Sequence, residues 1–226
     1  MINILYCGND KVFDGVLLSL LSITKHNKEA LNVIILSLDL TEKDPKFTMF
    51  SEEHRMVLEK EIKAVNNESQ VKVLDVKNLY VQTFENSKNE NTLYTPYALI
   101  RLIADRIEEV PDKVLYLDYD TMAYNNIREL YDIDLENYEL AGVLDYYGKF
   151  WIDKNYMNSG VLLCNMKEIR KKNNLSQENI ADILNVTQSC IVKYEKGRVY
   201  ISTENLYKFA KEFKISINEL CGKTKK

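Results

Sequence analysis

Asp118 and Asp120 stand one residue apart at the end of an apolar run, Val114-Leu115-Tyr116-Leu117. Alternate residues of an extended segment point the same way, so the two carboxylates can converge on one point in space. A pair of hard oxygen donors beside a phosphate suits Mn2+ or Mg2+, with the ion neutralising a diphosphate. At the carboxyl end of a parallel strand, such a pair would also lie where open α/β sheets bind ligands. Spacing of this kind is weakly specific in a chain with 34 acidic residues; Asp132-Ile133-Asp134 shares it, follows no apolar strand and reads as a solvated loop. A second set of polar residues lies downstream. A helix opening at Thr187 would present Gln188, Ser189 and Lys193 outward. Such a helix suits the major groove of DNA, where Gln can pair with adenine and Lys with guanine or phosphate.

These residues need elements to hold them. Ile2 to Cys7 predicts a strand ended by Gly8-Asn9-Asp10, and Val12 to Ile23 carries apolar residues at helical spacing. Leu31 to Leu38 is almost continuously apolar, the pattern of a strand covered on both faces. Glu52 to Val65 predicts an amphipathic helix, Val71 to Leu74 a strand, and Asn86 to Asn91 a polar loop. Tyr97 to Ile107 predicts a helix with Pro96 in its first turn. Further strands are expected at Lys113 to Leu117, Glu139 to Leu144 and Gly160 to Leu163. This alternation predicts an α/β domain with a largely parallel sheet.

After Met166 the texture changes to five short helices with polar joints. Ser176, Thr187 and Ser202 are candidate N-caps, and Ser216-Ile217-Asn218-Glu219 has the form of a capping box. Ala181, Leu184, Val186, Ile191, Phe209 and Ala210, with Leu175, Ile215 and Leu220, are expected to share a small core.

The 226 residues, 46% hydrophobic and 28% charged, fit an ordinary globular chain and exclude a disordered one. A net charge of −4 hides an asymmetry. Residues 1–165 carry 17 Lys and Arg against 27 Asp and Glu, a balance of −10, while residues 166–226 carry 13 against 7, a balance of +6. A compact basic segment behind an acidic one fits a nucleic-acid partner for the tail; a solvated lysine-rich tail is the plainer alternative. Cys7, Cys164, Cys190 and Cys221 form no C-x-x-C pair, which argues against a zinc cluster or disulfide framework. Met1 to Leu5 has no basic lead-in and no cleavage site of small residues and is not expected to be a signal peptide, and the apolar run Val16 to Leu21 is too short to span a bilayer. A reduced cytoplasm is the expected compartment.

Five segments occur in order: Ile4-Leu5-Tyr6-Cys7-Gly8-Asn9-Asp10, Arg101, Leu115 to Asp120, Val143-Leu144-Asp145, and Met157-Asn158-Ser159-Gly160-Val161-Leu162-Leu163. Together they resemble glycosyltransferase family 8, over residues 2 to about 166. Members are retaining hexosyltransferases that use UDP-sugars and manganese on a nucleotide-binding, Rossmann-like α/β fold of the GT-A kind. The resemblance implies that Gly8, Asn9 and Asp10 line a uridine pocket and that Arg101 approaches the donor sugar or phosphate. It gives Asp118 and Asp120 the metal, and it places Asp145 and Asn158 at the donor hexose or the acceptor side. Plainer roles stay open: a simple turn at residues 8–10, an Arg101–Asp105 pair along one helix, and a turn entering a strand at residues 158–160. Family members continue past the Asn-Ser-Gly strand and supply a late histidine to the metal. His26 and His54 lie upstream of the carboxylates on expected helical surface and match no such ligand, so the transferase module is expected to be truncated.

The segment 166–221 resembles the Cro and xenobiotic-response-element class of helix-turn-helix domains. It does so through Arg170, Gln177, Ala181, Asn185-Val186, Thr187-Gln188-Ser189 and Tyr194-Glu195-Lys196-Gly197. This resemblance implies that Gln177, Thr187, Gln188, Ser189 and Lys193 face DNA, and that Arg170 and Glu195 form a structural ion pair. A helical bundle for protein contacts is the alternative.

The expected architecture is therefore a truncated nucleotide-diphospho-sugar transferase module (1–165) followed by a small all-α helix-turn-helix domain (166–226). The leading functional expectation is a DNA-binding regulator, a homodimer on two operator half-sites, carrying an incomplete sugar-nucleotide module. The alternative is a UDP-hexose-dependent, metal-dependent retaining glycosyltransferase with an accessory tail.

Overall fold

The computed structural model describes residues 1–85, 95–173, 177–195, 198–213 and 217. The chain divides into two compact units, Met1–Arg170 and Lys171–Lys226, so the division falls inside the helix Met166–Asn173 and not at its start.

The first unit is built on a six-stranded sheet: β1 (Ile2–Cys7), β2 (Leu31–Ser37), β3 (Gln70–Asp75), β4 (Lys113–Leu117), β5 (Leu140–Leu144) and β6 (Met157–Asn165). The spatial order is β3-β2-β1-β4-β6-β5. β1 to β4 are parallel, whereas β6 runs antiparallel to β4, and β5 antiparallel to β6. The largely parallel sheet expected from the pattern holds over β1 to β4, and the β6–β5 edge departs from it because an apolar run carries no mark of direction.

Helices α1 (Phe13–His26), α2 (Glu52–Lys63) and α3 (Lys77–Phe84) are followed by three four-residue helices, α4 (Pro96–Leu99), α5 (Arg128–Tyr131) and α6 (Gly148–Trp151). The helix expected over Tyr97 to Ile107 is instead α4 running into a 3-10 segment, Ile100–Arg106. α3, α5 and α6 had no counterpart in the sequence reading.

Alternation along β1 builds two core layers. Ile4 and Tyr6 pack with Val16, Leu20 and Ile23 of α1 and Leu58 and Ile62 of α2. Leu5 faces the other way, toward Tyr80, Ile100 and Ile103. β2 is buried at every position, as its continuous apolar run requires. Each of these side chains contributes roughly 1.5–3 kcal/mol on full burial. At one end of the sheet Gln70 donates to Asn32 (2.9 Å), Asn32 to Asn3 (2.9 Å), and Asn3 to the Lys113 carbonyl (3.0 Å). This amide chain crosses β3, β2, β1 and β4, so a one-residue slip of any of them would break it.

In the second unit, α7 (Met166–Asn173) spans the division and is followed by α8 (Gln177–Leu184), α9 (Gln188–Glu195) and α10 (Thr203–Glu212). Ala181, Leu184 and Ile191 are buried, with Val186, Tyr194 and Phe209 packed against them. Asn185 sits at φ 54°, a left-handed conformation that Asn tolerates, and the Val186 amide donates to the Ala181 carbonyl (2.9 Å), closing α8. Ser202 caps α10 by accepting from the Asn205 amide (3.2 Å). The expected loop at 86–91, the cap Ser176, the capping-box residues Ser216, Asn218 and Glu219, the core residues Leu175, Ile215 and Leu220, Gly197 and Cys221 lie outside the described residues.

The first half of α7 belongs to the α/β unit. Met166 is buried in its core and Ile169 packs there. Arg170 pairs with the Asp112 carboxylate and donates to the Asp105 carbonyl (3.2 Å). The expected partner of Arg170, the Glu195 side chain, lies outside the described residues.

Candidate functional site

β1 and β4 are adjacent and parallel, so their carboxyl ends deliver Cys7-Gly8 and Asp118 to the same edge of the sheet. A cavity of about 370 Å³ opens there, walled by Gly8, Asn9, Lys11, Lys46, Tyr97, Arg101, Tyr116, Asp118 and Asp120, with Cys7 on its floor. Gly8 is required by close packing: a Cβ would meet the Val12 Cγ2 at 2.4 Å, where the 3-10 turn Asp10–Val12 folds back on the strand end.

Asp118 is held by two side chains through one of its oxygens. Its Oδ1 accepts from the Tyr116 hydroxyl (2.5 Å) and from Arg101 Nη2 (3.2 Å). Arg101 in turn lies 4.4 Å over the Tyr116 ring and donates to the Ala98 and Ser159 carbonyls (3.1 and 3.2 Å). The Asp118 amide donates to the Gly160 carbonyl (2.8 Å), and a Cβ at Gly160 would lie 2.9 Å from Asp118 Oδ2. Glycine in the Asn-Ser-Gly segment is what lets β6 approach this carboxylate. Burial, then the nearby Cys7 and Asp118, drives the Tyr116 hydroxyl far above its ordinary range, so it stays protonated and keeps donating. Burial likewise pushes the Cys7 thiol up to about 12, with Arg101 opposing and Asp118 adding, so Cys7 is neutral near pH 7 and no nucleophile.

Asn9 and Asp10 are structural clasps. Asn9 is buried; its amide donates to the Lys46 carbonyl (3.1 Å) and the Tyr97 hydroxyl (3.2 Å), while its oxygen accepts from the Lys11 amide (3.2 Å). Tyr97 donates onward to the Thr48 carbonyl (2.6 Å). Burial raises Tyr97 to about 12, with the Asn9 bond opposing, so it too remains a donor. Asp10 points away from the cavity, accepting from the Ser51 amide (2.8 Å) and pairing with His54 Nδ1 (2.7 Å) at the start of α2. Partial burial pushes Asp10 upward, but the bonds from Ser51 and His54 together outweigh it and hold the carboxyl below its ordinary value. His54 also stacks on Phe13 at 4.0 Å. The sequence reading left His54 on helical surface; only the fold reveals its partner, 44 residues away.

Asp145 and Asn158 do not line this cavity. The Asp145 carboxylate accepts from the amides of Tyr147 (2.9 Å) and Gly148 (2.5 Å), and from Asn158 Nδ2 (3.4 Å). The Gly148 bond leads, and with the Asn158 and Tyr147 bonds it outweighs the opposing effect of desolvation and lowers the pKa. Asn158 uses its oxygen on the Gly160 amide (2.8 Å).

A divalent metal suits this donor set in kind. Asp118 and Asp120 are hard oxygen donors, Asp120 makes no hydrogen bond or ion pair among the described residues, and Asp118 keeps Oδ2 clear of its two donors. Among the described residues no third His, Cys, Asp or Glu joins them, so phosphate and water would complete the shell, the habit of Mg2+ and its relatives.

On the second unit, Thr187, Gln188, Ser189 and Lys193 are exposed at the start and on one side of α9. Thr187 and Ser189 share a hydroxyl–hydroxyl bond of 3.0 Å. Gln177, at the first position of α8, is half-buried. No helix of the described residues is long and apolar enough to cross a membrane.

A six-stranded sheet with an aspartate pair in the wall of a cavity at the ends of β1 and β4 defines an α/β unit with its cavity where open α/β sheets bind ligands, here followed by a helix-turn-helix unit. Residues 3–194 match glycosyl transferase family 8, and the chain belongs to that family. Residues 165–224 match a helix-turn-helix domain, so both matches claim residues 165–194 and the transferase match runs well past residue 166. Glycosyltransferase GlyA of Streptococcus pneumoniae serotype 4 is 41% identical over 83 residues, 37% of this chain and 11% of its own length. The chain thus spans only about a tenth of that relative. The cryptic phage CTXphi transcriptional repressor RstR of Vibrio cholerae serotype O1 is 41% identical over 54 residues, 24% of this chain and 48% of its own. The galactosyltransferase LgtC, solved with donor and acceptor sugar analogs, superposes with a TM-score of 0.60 at 19% identity, covering 85% of this chain and 69% of its own, a likeness of fold.

Proposed function

We propose that the α/β unit binds a UDP-hexose in the cavity at the ends of β1 and β4 and transfers the sugar with retention of configuration. One observation carries this reading: Asp118 and Asp120 stand at the carboxyl end of β4, in the wall of a cavity closed on its other side by the end of β1. Gly8 and Asn9 line the uridine side. Arg101 and Tyr116 hold one oxygen of Asp118, leaving the other and Asp120 to hold Mn2+ or Mg2+. When bound, the ion supplies positive charge against the departing diphosphate. Asp145 and Asn158, on β5–β6, take the hexose or acceptor side. Asp10 serves by positioning, tying the loop after β1 to α2. Family membership and the glycosyltransferase relatives support glycosyl transfer better than DNA-dependent regulation, the reverse of the order expected from the sequence. The test is release of UDP from UDP-glucose or UDP-galactose with Mn2+, abolished in Asp118→Asn; no release with either donor would sink the reading.

A second reading concerns the other unit. Its match to a helix-turn-helix domain and to a phage repressor, with the exposed polar residues of α9, supports DNA binding through Thr187, Gln188, Ser189 and Lys193. Gln177 would meet the backbone from the start of α8. A homodimer reading two half-sites is the arrangement such helices favour. A salt-sensitive shift of specific DNA fragments, lost in Gln188→Ala, is the expected result.

A further inference from the structure

We propose that Lys11 and Lys46 form the phosphate-binding arm of the cavity and hold the diphosphate of a nucleotide by direct charge, before any divalent ion is bound. This rests on the nucleotide-sugar reading above and goes beyond it.

Three cations wall the cavity: Lys11, Lys46 and Arg101. Arg101 is already engaged through all three of its nitrogens, with Ala98, Ser159 and Asp118, and its plane lies over Tyr116. Turning it toward a ligand would break the brace that holds Asp118. Lys11 and Lys46 are different. Neither ammonium makes an ion pair or hydrogen bond among the described residues, although the chain supplies many acidic partners elsewhere.

The backbone around both lysines is nonetheless fixed. The Lys46 amide donates to Asp44 Oδ1 (2.9 Å) and its carbonyl accepts from the buried Asn9 amide (3.1 Å). On either side, the Phe47 ring meets Tyr97 edge-on (6.1 Å between centroids) and the Phe47 carbonyl accepts from the Leu40 amide (2.8 Å). Lys11 sits in the 3-10 turn after β1, its amide held by Asn9 Oδ1 (3.2 Å). One buried side chain, Asn9, therefore holds the main chain of both lysines, donating to the Lys46 carbonyl and accepting from the Lys11 amide. A locked main chain removes the backbone part of the ordering cost, leaving only the lysine side-chain rotamers to be fixed on meeting an anion, and lysine is a common phosphate ligand acting as a point charge. The two lysines line the same cavity as Asp118 and Asp120, so a diphosphate entering it meets these ammonium groups as well as the carboxylates.

The full chain is titrated calorimetrically with UDP and with inorganic pyrophosphate, once in chelator and once with Mn2+. The expected result is binding of both in chelator, weakened at least roughly tenfold in Lys11→Met/Lys46→Met, as loss of charge-assisted bonds implies. Affinity should return in Lys11→Arg/Lys46→Arg and stay unchanged in Lys25→Met, an exposed lysine of α1 outside the cavity. The dependence on salt should also flatten in the methionine variant. Unchanged affinity in that variant would overturn the lysine arm while leaving the nucleotide-sugar reading intact, and so would UDP binding only with Mn2+. Pyrophosphate binding without UDP binding would uphold the arm and defeat that reading. Binding of neither would defeat both.

Discussion

Two carboxylates of the α/β unit, Asp118 and Asp145, sit at strand ends and look alike in the sequence, yet the fold treats them in opposite ways. Asp118 is held by side chains from elsewhere: Arg101, 17 residues upstream, and Tyr116 on its own strand, with Gly160 of β6 pressed against it. Asp145 is consumed by its own turn, accepting from amides two and three residues ahead. A carboxylate fixed by remote partners is held in place for something else to meet, whereas one that closes its own turn has most of its acceptor capacity used locally. The same contrast separates Asn9, which ties Lys46 and Tyr97 to β1, from Asn158, which closes a turn with Gly160.

The largest effect that would break this comparison lies at Asp118. Asp118→Asn keeps the shape but removes the charge that Arg101 faces and that a metal would need. UDP release from a UDP-hexose should fall by about a hundredfold or more, the scale for losing a preorganised electrostatic group. Steady-state release assays at saturating Mn2+ check it; a loss below about tenfold would place the essential carboxylate elsewhere.

Next in size is Tyr97→Phe. The hydroxyl bridges Asn9 and the Thr48 carbonyl from a buried position, and its removal leaves both short of a partner. A cost of about 1–3 kcal/mol to the α/β unit is expected. Amide exchange in β1 and β2, followed with urea, measures it, and UDP affinity should drop in parallel because the Asn9 amide that holds the Lys46 carbonyl loses its Tyr97 partner. If stability falls and affinity does not, the 39–50 segment does not serve the cavity.

How much of this was legible beforehand follows from sequence distance. The β1 and β4 strands, the Asp118–Asp120 pair and the α8-turn-α9 unit are written in short-range pattern: period-two alternation, apolar runs, and Ala181 and Val186 at their helical spacing. The Tyr97–Asn9–Lys46 clasp joins residues 88 and 37 positions apart, and the 39–50 segment has no periodicity to announce it. His54 was therefore expected on helical surface, and nothing in the pattern singled out Lys11 or Lys46. Strand direction was hidden for the same reason: β6 reads as apolar either way, and only its pairing with β4 shows that it runs backward.

Asp10 supplies a smaller test with a definite sign. Its folded pKa lies below the ordinary value because the Ser51 and His54 bonds outweigh the opposing effect of burial. A lowered carboxylate contributes stability that is fully present above its unfolded pKa, about 3.9, and is lost as pH falls through the folded value. Wild type should therefore exceed Asp10→Asn by a constant margin near about pH 6, and the margin should close below about pH 4. Urea titrations of both proteins across that range would show it. A margin that instead widens in acid would mean that the Asp10 contacts do not favour its ionised form.

The smallest expected effect is at Asp145, and it bears most directly on the comparison. If the carboxylate serves only its own turn, Asp145→Ala should speed amide exchange at Tyr147 and Gly148, whose protons it accepts, and leave β1 and β4 unchanged. Asn158 would keep its bond to the Gly160 amide, so the approach of β6 to Asp118 would survive. UDP affinity should then match wild type, while transfer to an acceptor, which needs the β5–β6 side, should fall. Equal loss of UDP binding would mean that Asp145 reaches the nucleotide despite its self-contained turn, and the distinction between the two carboxylates would fail.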